Sequence, residues 1–116
     1  MKAILISSLL LLVAAFQPQA LQAQAPVTAK FQVSGVCGMC KARIEGALDV
    51  KGVKFASWSS EAQEVTVVYK PGQITEDALH ARIAAVGHDT GKVKAKDEVY
   101  AKLPGCCKYR NGVQVH

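Results

Sequence analysis

Val33-Ser34-Gly35-Val36-Cys37-Gly38-Met39-Cys40-Lys41-Ala42-Arg43-Ile44-Glu45 is the stretch whose reading decides the fold. The residues before it, Ala29-Lys30-Phe31-Gln32-Val33, alternate apolar and polar as a half-buried strand does. Ser34-Gly35-Val36 reads as a loop. From Met39 to about Leu48 the period becomes helical, with Ile44, Ala47 and Leu48 on one face and Lys41, Arg43, Glu45 and Asp49 off it. Two thiols therefore stand at the mouth of a short helix. Thiolate is the form that binds metal or attacks a disulfide, and the positive end of a helix favours it, here at Cys40. Such a pair can hold one soft ion or can oxidise and pass electrons.

The remaining pattern surrounds this unit with strands and one more helix. Gly52 stops the first helix, and Val53–Ser59 reads as a strand whose register is open: either Phe55 or the Ala56/Trp58 pair faces the core. Ser60–Gln63 is a turn, and Val65-Thr66-Val67-Val68-Tyr69 is strongly β-prone. Thr75 caps a second helix, with Glu76 and Asp77 in its first turn, an apolar stripe of Leu79, Ile83 and Val86, and Gly87 at its end. His80 lies beside that stripe and reads as a helix-surface residue. His88–Ala95 is a weaker fourth strand, and Asp97–Leu103 a short helical turn before Pro104-Gly105-Cys106-Cys107. The order β-α-β-β-α-β predicts an α+β sandwich: a four-stranded antiparallel sheet with two helices on one face, plus a Cys-containing C-terminal tail.

The chain has 116 residues and a formal net charge of +5. Its positive charges are dispersed apart from Lys92, Lys94 and Lys96, and no aromatic interleaving suggests base stacking, so nucleic acid is not an expected partner. Met1-Lys2 followed by the apolar run Ala3–Phe16 and the small polar residues Gln17–Ala25 has the form of a secretory signal peptide. That run is shorter than the roughly 20 residues needed to span a bilayer. Cleavage after Ala23 is expected, with Ala20 or Ala25 as alternatives. The mature chain is then periplasmic or secreted, without stable membrane insertion.

Cys37-x-x-Cys40, Lys41, Ile44, Glu45, Gly52-Val53, Val65-Thr66-Val67, Tyr69, Ile83 and Gly87 resemble the heavy-metal-associated domain family. Copper chaperones, the metal-binding domains of P-type metal ATPases and the periplasmic mercury-binding protein belong to that family. The resemblance runs from about Lys30 to Ala95. It implies the ferredoxin-like fold, one soft metal held by Cys37 and Cys40, and Ala56 and Trp58 turned toward the core. The family usually reads Gly-Met-x-Cys-x-x-Cys; here Gly35-Val36-Cys37 is one residue shorter and Val36 stands in place of the Met. His88 stands where the family often has an aromatic residue. The expected organisation is a signal peptide at 1–23, a heavy-metal-associated domain at 28–96 and a tail at 97–116 with a vicinal Cys pair.

Two thiolates suit Cu(I), and for the same softness Hg(II). Zn(II) usually takes four ligands and needs more than Cys37 and Cys40. Three further residues are candidate ligands. His88 lies in a loop that the resemblance puts beside the metal loop. Cys106 and Cys107 could fold back and add thiolates, with Lys108 and Arg110 keeping them charged; the alternative is a disulfide to another cysteine, since adjacent cysteines bridge only with strain. Met39 reads as a loop anchor or surface contact, and Trp58 and Tyr69 as packing residues. Tyr100 and Tyr109 flank the tail and could fasten it to the body, and His116 is terminal.

No nucleophile-base pair, phosphate loop or paired carboxylates point to an enzyme. The leading expectation is an exported protein that captures Cu(I), with Hg(II) as the variant, and hands it by thiolate exchange to a membrane metal transporter or P-type ATPase. The alternative is a thiol-disulfide redox protein using Cys37 and Cys40. Gly38-Met39 is not the Gly-Pro type of dipeptide of thioredoxin-like motifs.

Overall fold

Val65, Val67 and Tyr69 alternate with Glu64, Thr66 and Val68, and the strand they form is the centre of the sheet. The computed structural model describes residues 25–111. The expected signal peptide and His116 lie outside the described residues. In chain order the elements are β1 (Val27–Gln32), α1 (Gly38–Ala47), β2 (Val53–Ser59), β3 (Glu64–Tyr69), α2 (Glu76–Ala85) and α3 (Asp97–Ala101), followed by single 3-10 turns at Gly105–Cys107 and Tyr109–Asn111. The strands pair antiparallel in the order β1-β3-β2. Ile44 and Leu48, Leu79 and Ile83 join the inward residues Ala29, Trp58, Val65 and Val67 in one core, so α1 and α2 cover the same face of the sheet.

A bulge settles the register of β2. Val53 lies opposite Tyr69 and Phe55 opposite Val68, which leaves Lys54 as one extra residue. One inserted residue exchanges the faces of a strand. Val53 before the bulge and Ala56 and Trp58 after it therefore all pack on the core, and Phe55 is turned out, 53% exposed. Thr75 caps α2 as expected, its Oγ1 accepting the Ala78 N–H at 3.1 Å. Gly87 follows with φ +107°, and a Cβ there would lie 2.9 Å from Leu103 Cδ2.

The expected fourth strand at His88–Ala95 is replaced by a turn, so the sheet has three strands among the described residues. A single antiparallel bridge, Val33 to Thr90, stands in its place. The cause lies in two short polar side chains that compete with the ladder. Thr90 Oγ1 accepts the N–H groups of Lys92 and Val93 at 3.1 and 3.0 Å. Asp89 Oδ1 accepts the Ala95 N–H at 2.8 Å. This turn closes over His80, which is buried rather than on the helix surface. Its ring stacks on Phe31 with centroids 3.8 Å apart, and its Nδ1 lies 2.6 Å from Thr90 Oγ1. Burial lowers its pKa below the ordinary histidine value.

The tail is strapped onto the body. Tyr109 Oη donates to the Gly87 carbonyl at 2.7 Å and accepts the Asp89 N–H at 2.9 Å. Arg110 reaches Asp89 through Nη2 at 2.8 Å and Nε at 3.2 Å, and donates to the Ala95 carbonyl at 2.7 Å. Tyr100 accepts the Arg110 N–H at 2.9 Å and packs edge-on against Tyr109. Leu103 and Cys107 join the core.

Arg110→Ala is expected to lower the unfolding free energy by about 2 kcal/mol at neutral pH, the range of charge-assisted bonds. Burial pushes the Asp89 carboxyl up, but its bonds to Arg110 and to the Ala95 N–H outweigh this and hold it below the usual range. A depressed folded-state pKa stabilises above the unfolded value and ceases to do so as pH falls through the folded one. The difference between wild type and variant should therefore narrow below about pH 4, as read by urea denaturation across that range.

Candidate metal centre

The loop ahead of α1 is held from below by Trp58. Its ring leaves no room for a side chain at Gly35: a Cβ there would lie 2.8 Å from Trp58 Cζ2 and 3.2 Å from Cys40 Cβ. The indole N–H donates to the Val33 carbonyl at 2.9 Å. Gln63, at φ +53° in the β2–β3 turn, accepts the Gly35 N–H on its side chain at 3.1 Å and the Val33 N–H on its carbonyl at 2.9 Å. Val36 is fully buried, so the loop is pinned into the core. Lys41 pairs with Glu45, and the Glu45 carboxylate accepts the Trp58 N–H at 2.9 Å, tying α1 to β2.

Cys37 is the N-cap of α1, in extended conformation, and its carbonyl accepts the Lys41 N–H at 3.1 Å. Burial pushes its thiol up, but the N–H groups of Met39 and Cys40 outweigh that and bring it below the ordinary thiol value. The helix start thus acts on Cys37, the outer sulfur, which is half-buried. Cys40, one turn inside, is fully buried.

The tail brings a third sulfur to this pair. The Sγ atoms of Cys37, Cys40 and Cys107 all lie within 4.8 Å of one another. Cys107 is fully buried, and Arg43 Nη1 lies 3.3 Å from its sulfur. Burial, and next its contact with Cys40, pushes the Cys107 thiol up to about 12 against the opposing pull of Arg43. All four thiols are free. Among the described residues this is the group of sulfurs able to share one ion.

The other candidates lie around it. Cys106 is exposed, with its Sγ 3.5 Å from Met39 Sδ, and its carbonyl lies 3.8 Å from Cys37 Sγ. His88 is beside the loop but outside the sulfur cluster: Nδ1 lies 2.8 Å from the Ser34 carbonyl and the ring stacks on Tyr109. It is fully buried, which lowers its pKa. Lys108 and Arg110 serve other groups, the Ala101 carbonyl and Asp89. Arg43 takes the charge role expected of them. Its place, three residues after Cys40, was a readable signal for it; nothing local marks Gln63.

The heavy-metal-associated domain model matches residues 30–89. The chain belongs to that family. The domain is 40% identical over 70 residues, 59% of this chain, to a zinc-transporting ATPase of Synechocystis sp.. The chain spans only 10% of that ATPase's length. It resembles the CopZ metallochaperone with a TM-score of 0.53 and 29% identity, covering 55% of this chain and 98% of the metallochaperone. It also resembles a copper CopA variant from Bacillus subtilis, with a TM-score of 0.50 and 28% identity over 59% of this chain and 92% of the other. The heavy-metal-associated domain therefore carries its Cys-x-x-Cys pair where α1 begins. The family match ends at Asp89, so Cys107 reaches the site from outside it.

Pulsed alkylation of the reduced protein should separate the thiols. Cys37 is expected to react with a pH midpoint below that of a free thiol. Cys107 is expected to stay unmodified until the solution is strongly alkaline or the chain unfolds. Peptide mass spectrometry reads both, and equal rates at Cys37 and Cys107 near neutrality would contradict the geometry.

Proposed function

We propose that this protein is an exported carrier of a soft metal ion, Cu(I) in the first place, which it captures on Cys37 and Cys40 and passes on by thiolate exchange. The observation that carries this reading is the asymmetry of the pair. Cys37 is only partly buried and its thiol pKa is lowered, while Cys40 lies behind it, fully buried in the core. An open cleft runs beside Cys37, lined by Gly38, Lys41, Trp58, Ser60 and Glu61. A partner thiolate can approach through it and bond the ion while Cys37 departs, so the ion is never left without sulfur. Low coordination and soft ligands favour Cu(I), and Hg(II) by the same argument. Zn(II) asks for more ligands than this pair.

The partner is a membrane metal transporter, of which the P-type ATPases are the best-supported kind, given the relatives above. The net positive charge of the chain favours an acidic docking patch. The apolar run Ala3–Phe16 supports export, and the protein acts as a carrier rather than an enzyme.

Anaerobic titration of the reduced protein with Cu(I) against a chelator, read by native mass spectrometry, tests the assignment. One ion per chain is expected, and Cys37→Ser or Cys40→Ser should weaken binding beyond the roughly hundredfold that loss of an outer partner costs. Wild-type affinity in the double variant would refute it. Metal-independent disulfide reduction that vanishes with either cysteine would favour the redox alternative.

A further inference from the structure

Cys107 lies 64 positions beyond Arg43, yet the two side chains meet at the sulfur cluster. We infer that Cys107 is a third ligand of the cargo ion, delivered by the strapped tail, so that the ion sits among three thiolates rather than between Cys37 and Cys40 alone. This rests on the carrier reading above and adds a ligand from outside the matched domain.

Distance is the first argument. An ion at the centre of three sulfurs, each about 2.3 Å away, needs sulfur-to-sulfur separations of about 4 Å. The three Sγ atoms already lie within 4.8 Å of one another.

Charge is the second. Two thiolates on Cu(I) carry one negative charge, and a third adds another in a buried site, which is costly without a partner. Arg43 supplies that partner, with its guanidinium nitrogen Nη1 3.3 Å from the Cys107 sulfur. On binding, the Cys107 S–H bond breaks, its proton goes to solvent, and a sulfur–metal bond forms; no electron is transferred.

Positioning is the third. The groups that hold the tail are independent of the sulfurs. Tyr109 bridges the Gly87 carbonyl and the Asp89 N–H, Arg110 grips Asp89, and Leu103 fills the space above Gly87. Cys107 is thus placed by the body of the fold before any ion arrives. Cys106, its neighbour, is exposed beside Met39 and is not among the three sulfurs that all lie within 4.8 Å of one another. The third sulfur should slow release of the ion until a partner thiolate takes its place.

The test uses the full reduced chain and Cu(I) alone, with chelator competition for affinity and X-ray absorption for the number of sulfur neighbours. Wild type is expected to show three sulfurs. Cys107→Ala should keep one ion, show two sulfurs and lose at least about tenfold in affinity, the least that even an outer partner costs. Arg110→Ala loosens the strap with every sulfur intact, and decides the matter if Cys107→Ala fails to fold. It should weaken binding in the wild-type background and add nothing to Cys107→Ala. Two sulfurs in wild type, or unchanged affinity in both variants while Cys37→Ser loses the ion, would overturn the third ligand and leave the carrier reading standing. Retention of the ion by Cys37→Ser at wild-type affinity would instead overturn the carrier reading itself.

Discussion

The indole of Trp58 lies directly beneath the loop, and the distance between that ring and the Gly35 backbone governs the site. Only hydrogen fits at Gly35, because any larger group would meet the ring and the Cβ of Cys40. The same indole donates to the Val33 carbonyl, and the backbone N–H of Trp58 is taken by Glu45 on α1. One buried side chain thereby sets β2, the loop and the helix at fixed separations. A large aromatic body with a polar handle suits this task, since it fills volume and still satisfies a buried carbonyl. The two helix-mouth cysteines inherit their positions from that arrangement.

The sulfurs are held in unlike states for a physical reason. Cys37 receives the unpaired N–H groups at the start of α1, which act as a partial positive charge. Cys107 sits in the core beside another sulfur, and burial raises its pKa against the opposing pull of Arg43. An ion changes that balance, because its own charge displaces protons that the protein alone would keep.

The edge of β1 shows how the tail and the sheet are related. A full fourth strand would have paired there. Instead Ser34 and Gln32 keep one hydrogen bond each, to Asp89 and Gly91, and the rest of the segment turns away. Asp89 is central to this change. Its carbonyl still accepts the Ser34 N–H, but its own N–H goes to Tyr109 and its carboxylate to Ala95 and Arg110, so the N–H a strand would have offered to β1 serves the strap. Sheet pairing has been exchanged for tail docking, and the docking is what carries a thiol to the metal loop.

Much of this was legible in the residues. The alternation in β1 and β3, the helical period after Cys37, the Thr75 cap and the paired cysteines are local patterns, and local patterns follow from backbone periodicity and a few short-range bonds. The family resemblance extended them to the fold and to the orientation of Trp58. Four features were not legible. The bulge at Lys54 flips faces without any mark in the composition. His80 reads as exposed until a distant turn covers it. The fourth strand reads as extended until Thr90 and Asp89 find other partners. Sequence also offered His88, Cys106 and Cys107 as possible added ligands, and the structure gathers Cys107 with the pair. Sequence by itself determined which elements form and where two thiols meet a helix. Only the tertiary structure decided which distant side chains join them, because that choice depends on contacts between segments many residues apart, and such contacts leave no period along the chain.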